Sequence, residues 1–221
     1  MKTLVVAPHP DDEVLGAGGT LFRRKAQGGS IAWLIVTDVT QDAGWPEAKI
    51  AQRRSEIQSV SQMYGFSTVF NLALPTTKLD TLPVSEIVRK IGECIQSYHP
   101  EEILIPHAGD VHTDHGVVFN AVVSCTKWFR YPFIERILSY ETISETDFGL
   151  DFARGFVPNV FIDISEFLVQ KLEALEIYVS ETGEFPFPRS RQAVEALARY
   201  RGSTAGFRAA EAFQLLRERQ R

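Results

Sequence analysis

Short runs rich in aliphatic and β-branched residues alternate along this chain with longer segments whose apolar positions recur at helical spacing. The runs fall at 3–7, 31–37, 68–72 and 102–106, and the helix-patterned segments at 14–28, 46–64, 84–98 and 115–129. Strand followed by helix, repeated four times, predicts βαβ units: an α/β, Rossmann-like, mostly parallel sheet with helices on both faces. Runs at 136–143 and 157–164 predict added C-terminal strands, and a helix is expected from about Ser165, an N-cap residue type, to Tyr178. A final helix is expected over about 205–219, with Arg217 and Arg219 in the last turn where positive charge suits the helix dipole. The proline and aromatic residues of ETGEFPFPRSRQ, 181–192, predict a loop or lid. Without an internal repeat or a low-complexity linker, residues 1–221 read as one domain.

The polar residues break this pattern at the strand ends. HPDDE follows the first run, VTDVTQDAGW overlaps the end of the second, and PHAGDVHTDH follows the run at 102–106. In open parallel sheets functional groups collect beyond the carboxyl ends of the strands, so all three clusters are expected on one rim. His9 and Asp12 are spaced i, i+3, as are His112 and His115, and a turn or first helical turn brings such pairs together. Two imidazoles and a carboxylate form a common catalytic zinc set, because three protein ligands leave a position for water. His9, Asp12 and one histidine of the second cluster meet that requirement.

A capping role at a helix N-terminus would need one acid. Asp11, Asp12 and Glu13 together bring a repulsion that a dipole of about half a charge does not offset and a divalent cation does. Three of the five histidines, His9, His112 and His115, lie in these two i, i+3 pairs, which favours a metal over scattered surface histidines.

Composition narrows the partners. The chain is 44% hydrophobic and 23% charged, as in an ordinary globular protein, with net charge −5, which offers no broad basic field for nucleic acid or anionic membrane. A small or neutral substrate is expected. No apolar stretch approaches the roughly 18 residues that span a bilayer, and no signal-like segment precedes HPDDE, so a soluble, cytoplasmic protein is expected. Cys94 and Cys125 make neither a disulfide framework nor a four-thiolate site and are read as buried hydrophobes.

APHPDDE after a first strand, with a glycine-rich helix start and DVHTDH more than a hundred residues later, resembles the LmbE/PIG-L family of zinc-dependent N-deacetylases. Val36-Thr37-Asp38, Arg53-x-x-Glu56, Tyr140-Glu141 and Ala210-Glu211-Ala212-Phe213 extend the resemblance over nearly the whole chain. The resemblance implies His9, Asp12 and His115 as zinc ligands, Asp11 as general base, and His112, in protonated form, beside the metal to assist the carbonyl oxygen or the leaving amine. It further implies Arg53 and Asp38 as contacts to an N-acetylated sugar or sugar conjugate, and a homo-oligomer by analogy. Read from residue type alone, Arg53 equally suits a salt bridge to Glu56 or Glu47, and Asp38 a turn. Asp114 suits either orientation of an imidazole or a helix cap; Asp110 suits a bond to a ligand histidine. Glu13 suits a dipole contact or a hydrogen bond behind the ligands. Trp45, Phe185 and Phe187 suit either stacking on a sugar or packing a loop. Thr113 stands where the family often has proline, and Val39 where many relatives have glycine, the latter on the substrate side.

The function expected is a zinc-dependent hydrolase that removes an N-acetyl group from an amino sugar or its conjugate by activated water. Two alternatives stand beside it: a metal-dependent hydratase or lyase of the same fold, and a non-catalytic sugar-nucleotide module suggested by Gly16-Ala17-Gly18-Gly19. The latter lacks the third glycine of the dinucleotide fingerprint.

Overall fold

Successive residues of the first strand serve opposite sides of the molecule: Leu4 and Val6 pack in one apolar core, Val5 and Ala7 in the other. That is the period-2 consequence of a strand buried on both faces. The computed structural model describes residues 1–41 and 44–220, so Asp42 and Ala43 of the second polar cluster lie outside the described residues. Strands β1 (Lys2–Ala7), β2 (Ser30–Asp38), β3 (Thr68–Pro75), β4 (Glu102–Ile105), β5 (Arg136–Tyr140), β6 (Val160–Asp163) and β7 (Ala210–Glu218) form one sheet in the order β3-β2-β1-β4-β5-β7-β6. The first five strands pair in parallel, as expected, whereas β7 runs antiparallel to both neighbours.

Helices α1 (Asp12–Ala26), α2 (Glu47–Tyr64), α5 (Leu168–Ile177) and α6 (Arg191–Ala205) cover one face; α3 (Val84–Tyr98) and α4 (Thr113–Ser124) cover the other. Ile87, Ile91 and Ile95 of α3 recur at helical spacing and are fully buried. Cys94 and Cys125 are free and buried, as expected. Among the described residues no helix is long and apolar enough to cross a membrane.

The C-terminal end differs from the sequence expectation. Helix α6 occupies 191–205, where no helix is expected, and the segment expected to be helical over 205–219 is largely strand β7. Ser190 starts α6 by accepting a hydrogen bond from Ala193 N, and Gly206 stops it in the left-handed region at φ 79°. Leu215, Leu216 and the flanking arginines suit a helical pattern locally. The slot between β5 and β6 pairs both edges of the segment, and that tertiary gain overrides propensity.

The glycines of α1 answer to packing. A Cβ on Gly16 would stand 2.1 Å from the Tyr140 ring and one on Gly19 2.7 Å from Ile164, so these residues admit β5 and the end of β6 to the helix backbone. The same stretch receives a buried ion pair from the C-terminal half. Glu211 on β7 accepts from Gly19 N (2.9 Å) and Thr20 N (2.7 Å), while Lys171 on α5 donates to Glu211 (2.6 Å) and Leu15 O (2.8 Å). The nucleotide-binding reading of GAGG therefore loses its basis: the backbone a pyrophosphate would need is covered by protein.

Candidate metal centre

Strand order reverses between β1 and β4, and at such a point the loops leaving the two carboxyl ends diverge and leave a crevice. The loop after β1 carries His9 and leads into α1 at Asp12; the loop after β4 leads into α4, whose first turn carries His115. Topology thus brings together residues more than a hundred positions apart. One nitrogen each of His9 and His115 and one carboxylate oxygen of Asp12 lie within 4.8 Å of one another. Asp12 Oδ2 stands 3.4 Å from His9 Nδ1 and 3.4 Å from His115 Nε2.

His115 provides the test of whether a metal suits this set. Its ring is fully buried, and Nδ1 lies 2.7 Å from Asp110 Oδ2, which fixes the proton on Nδ1. Nε2, facing Asp12, is buried without a hydrogen-bond partner. Burial opposes protonation of this ring, but the charges of Asp12 and Asp110 raise its pKa well above the ordinary value, so without a metal a proton holds the place on Nε2 that a cation would take, and a buried ring nitrogen without a hydrogen-bond partner costs free energy. Two imidazoles and one carboxylate are the donor chemistry of a three-ligand zinc site, so the residues fit the group. His9, His112 and Asp114 also cluster within 4.8 Å, but hydrogen bonds occupy that set. Asp114 Oδ2 holds His9 Nε2 at 3.1 Å and accepts from Thr77 N, its other oxygen accepts from Leu79 N, and His112 Nδ1 accepts from Asp114 N. Between the two readings of Asp114, orientation of an imidazole is the one observed; the helix cap is His112.

Charge at the site follows from burial and crowding. Burial works against a protonated His9, but the hydrogen bonds to Asp114 and Asp12 outweigh it and raise its pKa to about 9. Burial also works against ionised Asp12, yet His115 and His9 hold its carboxyl far below the ordinary range. Asp11 is pushed up to about 7, first by burial and then by the charge of Asp12, with Arg189 opposing. The negative field is thus concentrated at Asp12, between the two rings, where a cation would sit.

His112 departs from expectation. Burial and the charges of His9 and His115 lower its pKa to about 4, and Nδ1 accepts a backbone N–H. The ring is therefore neutral near pH 7 and carries its one proton on Nε2, in place of the expected imidazolium.

Asp11 sits at φ 134°, a backbone conformation that side chains rarely adopt. Glu13 is fully buried behind it and accepts from Asp11 N (3.1 Å) and from the hydroxyl of Tyr178 (2.6 Å). That resolves Glu13 as a brace for the strained turn. Asp11 Oδ2 also accepts from Arg189 Nη1 at 3.1 Å, and Arg189 lies 3.5 Å from Glu181. Both partners belong to the 181–192 segment, which reaches back over the site.

A cavity of about 250 Å³ opens on this centre, lined in part by Asp11, His112, Asp38, Arg53, Glu145 and Arg189. Arg53 donates to Pro10 O (2.8 Å), pairs with Glu181 and lies 3.6 Å from Glu56, so it braces the HPDDE turn as well as lining the cavity. Asp38 holds its two oxygens toward Val39 N and Asn71 Nδ2, each at 2.7 Å. Trp45 lines the cavity; Phe187 packs its ring beside the Arg189 guanidinium at 5.6 Å. Sequence reasoning missed Arg189, Glu181, Glu145 and Tyr178. For Arg189 and Glu181 the only signal was the aromatic and proline density of 181–192, which marks a loop without saying which charged side chain it turns inward.

The chain is similar to several known proteins. Residues 4–126 match the family model described as PIG-L: GlcNAc-PI de-N-acetylase. A diacetylchitobiose deacetylase from Thermococcus kodakarensis is 28% identical, covering 97% of this chain and 83% of that protein. The crystal structure of the conserved protein TT1542 from Thermus thermophilus is 28% identical, with a TM-score of 0.78 over 99% of this chain and 96% of that one. GalB, a 4-carboxy-2-hydroxymuconate hydratase from Pseudomonas putida, shares the fold at a TM-score of 0.79 and 17% identity, over 100% of this chain and 98% of that one.

Proposed function

This chain belongs to the PIG-L family of de-N-acetylases, and from that premise we infer that it is a metal-dependent hydrolase removing the N-acetyl group of an amino sugar or sugar conjugate. The observation that supports this reading most is the unpartnered Nε2 of buried His115, aimed at Asp12 beside the cavity. On this reading His9 Nδ1, Asp12 Oδ2 and His115 Nε2 hold a divalent cation, zinc by donor type. Such an ion supplies Lewis acidity toward an amide carbonyl and toward water.

The remaining chemistry belongs to the chain's own residues. Arg189 engages Oδ2 of Asp11 and leaves Oδ1 to take a proton from the attacking water. His112 donates its Nε2 proton as a hydrogen bond to the carbonyl oxygen as negative charge builds there. Because Nδ1 is already an acceptor, giving that proton away would leave an imidazolate. The proton that releases the amine therefore comes back from Asp11. Arg53 and Asp38 contact sugar hydroxyls from the cavity wall, each oxygen of Asp38 retaining a second acceptor position.

The test is acetate release from N-acetylated sugars by the zinc-loaded protein. Asp11→Asn should keep zinc and lose about 10²- to 10⁴-fold in kcat; alanine at His9, Asp12 or His115 should lower zinc content. Full zinc retention by all three alanine variants would remove the ligand assignment. Hydration of an unsaturated acid without acetate release would replace the deacetylase with a hydratase.

A further inference from the structure

Among the described residues five carboxylates line the catalytic cavity, and four of them are engaged by the protein itself. Asp12 stands between His9 and His115, Asp11 accepts from Arg189, Asp38 faces Val39 N and Asn71 Nδ2, and Glu181 pairs with Arg53 and Arg189. Glu145 is the fifth. Among the described residues no hydrogen bond or ion pair reaches its carboxyl group. Thr142, three positions earlier, lines the same cavity; it is 1% exposed and its Oγ1 has no partner. A buried hydroxyl left unpaired costs free energy that a bound ligand recovers.

The turn that carries both side chains is fixed from the side of the metal centre. Glu145 N donates to Thr142 O (3.0 Å) and Val111 N to Glu145 O (3.1 Å). Thr146 Oγ1 accepts from Thr142 N (2.8 Å) and donates to Asp110 Oδ1 (2.6 Å). Asp110 is also the partner of His115, so the turn and that ring share one anchor. Burial raises the Glu145 pKa, His115 and Arg189 oppose the rise, and Asp12 and Asp110 add to it. A carboxylate in such a place gains from a cationic hydrogen-bond donor.

The reaction identifies that donor. His112 serves the carbonyl oxygen, Asp11 the attacking water, and Arg53 and Asp38 the ring hydroxyls. The nitrogen remains, and it is the atom whose donor count changes. An amide nitrogen of the substrate carries one N–H. On cleavage the C–N electron pair stays on nitrogen, Asp11 supplies one proton and the acetic acid formed supplies the next, so acetate leaves and the product carries three N–H groups and a positive charge. Glu145 and Thr142 are free acceptors for the added donors. Contacts that strengthen as the C–N bond breaks lower the barrier.

We propose that Glu145 and Thr142 form the seat of the reacting nitrogen, accepting the amide N–H of the substrate and then the ammonium group of the product. The assignment rests on the deacetylase reading for the identity of that nitrogen.

Calorimetry on the zinc-loaded, full-length protein at about pH 6 tests it with two probes that lack an acetyl group: glucosamine, protonated on nitrogen, and glucose, its uncharged counterpart. The wild-type protein should bind glucosamine at least about tenfold tighter than glucose. Glu145→Gln should bring the two within about threefold, with glucose affinity, zinc content and melting temperature unchanged. Thr142→Val should shrink the preference by about two- to fivefold. No preference in the wild type, a preference that survives Glu145→Gln, or equal weakening of both sugars would overturn the proposal. Should Glu145→Gln lose zinc or cooperative melting, Thr142→Val decides, and an undiminished preference there overturns it. Acetate release by the wild-type protein is scored separately. Its absence with the ammonium preference intact would refute the deacetylase reading and leave the ammonium site standing.

Discussion

At the scale of single residues, the site is organised by what stands behind each proposed ligand. His115 has its tautomer set by Asp110, whose other oxygen accepts from Thr146 Oγ1 at 2.6 Å, and His9 is held by Asp114. Such partners fix ring orientation and basicity, and losing one typically costs about 10- to 100-fold in metal affinity. Asp110→Asn should therefore weaken zinc binding by about that factor, measured by chelator competition, while thermal unfolding of the metal-free protein stays cooperative. Unchanged affinity would mean that the Asp110 contact does not tune the ligand. Glu13 follows the same logic one step further back, since its bond to Asp11 N holds a backbone that would not rest at φ 134° unsupported.

At the scale of elements, the C-terminal half stabilises the helix that carries the site. Lys171 and Glu211 are both almost wholly buried, and together they satisfy three backbone groups of α1. Breaking such a pair leaves an uncompensated buried charge, which costs about 3–5 kcal/mol. Glu211→Gln should lose stability on that order in urea unfolding, and Lys171→Met in the same chain should recover part of it. Equal stability of Glu211→Gln and wild type would show that the pair contributes nothing. The element also explains a misreading. Ala-Glu-Ala-Phe resembles a family motif, yet nothing in its composition says that its glutamate reaches a helix residue 192 positions earlier; only the antiparallel placement of β7 beside β5 does.

At the scale of the whole molecule, the metal-free site couples folding to pH. The folded His9 pKa of about 9 exceeds its ordinary 6.5, so the stability it contributes is present below about pH 6.5 and lost as pH rises through about 9. Asp11, raised from 3.8 to about 7, acts in the same direction: its proton is retained on folding, and stability is lost as pH rises through about 7. The metal-free protein should therefore melt at lower temperature as pH rises from about 5 to about 9, while zinc affinity climbs because binding requires a deprotonated ring. Melting temperatures of chelator-treated protein across that range check this, and a flat profile would contradict it. The parallel half of the sheet is legible in the chain, because strands buried on both faces are continuously apolar, and so are the candidate ligands His9, Asp12 and a histidine of the second cluster, because three acids beside a histidine favour a bound cation. The chain left α6 and β7 undecided, since local pattern cannot report which sheet edge stands open. Tertiary structure alone decided that Arg189 meets Asp11 and that His112 is neutral, because each depends on residues far apart in the chain sharing one low-dielectric space.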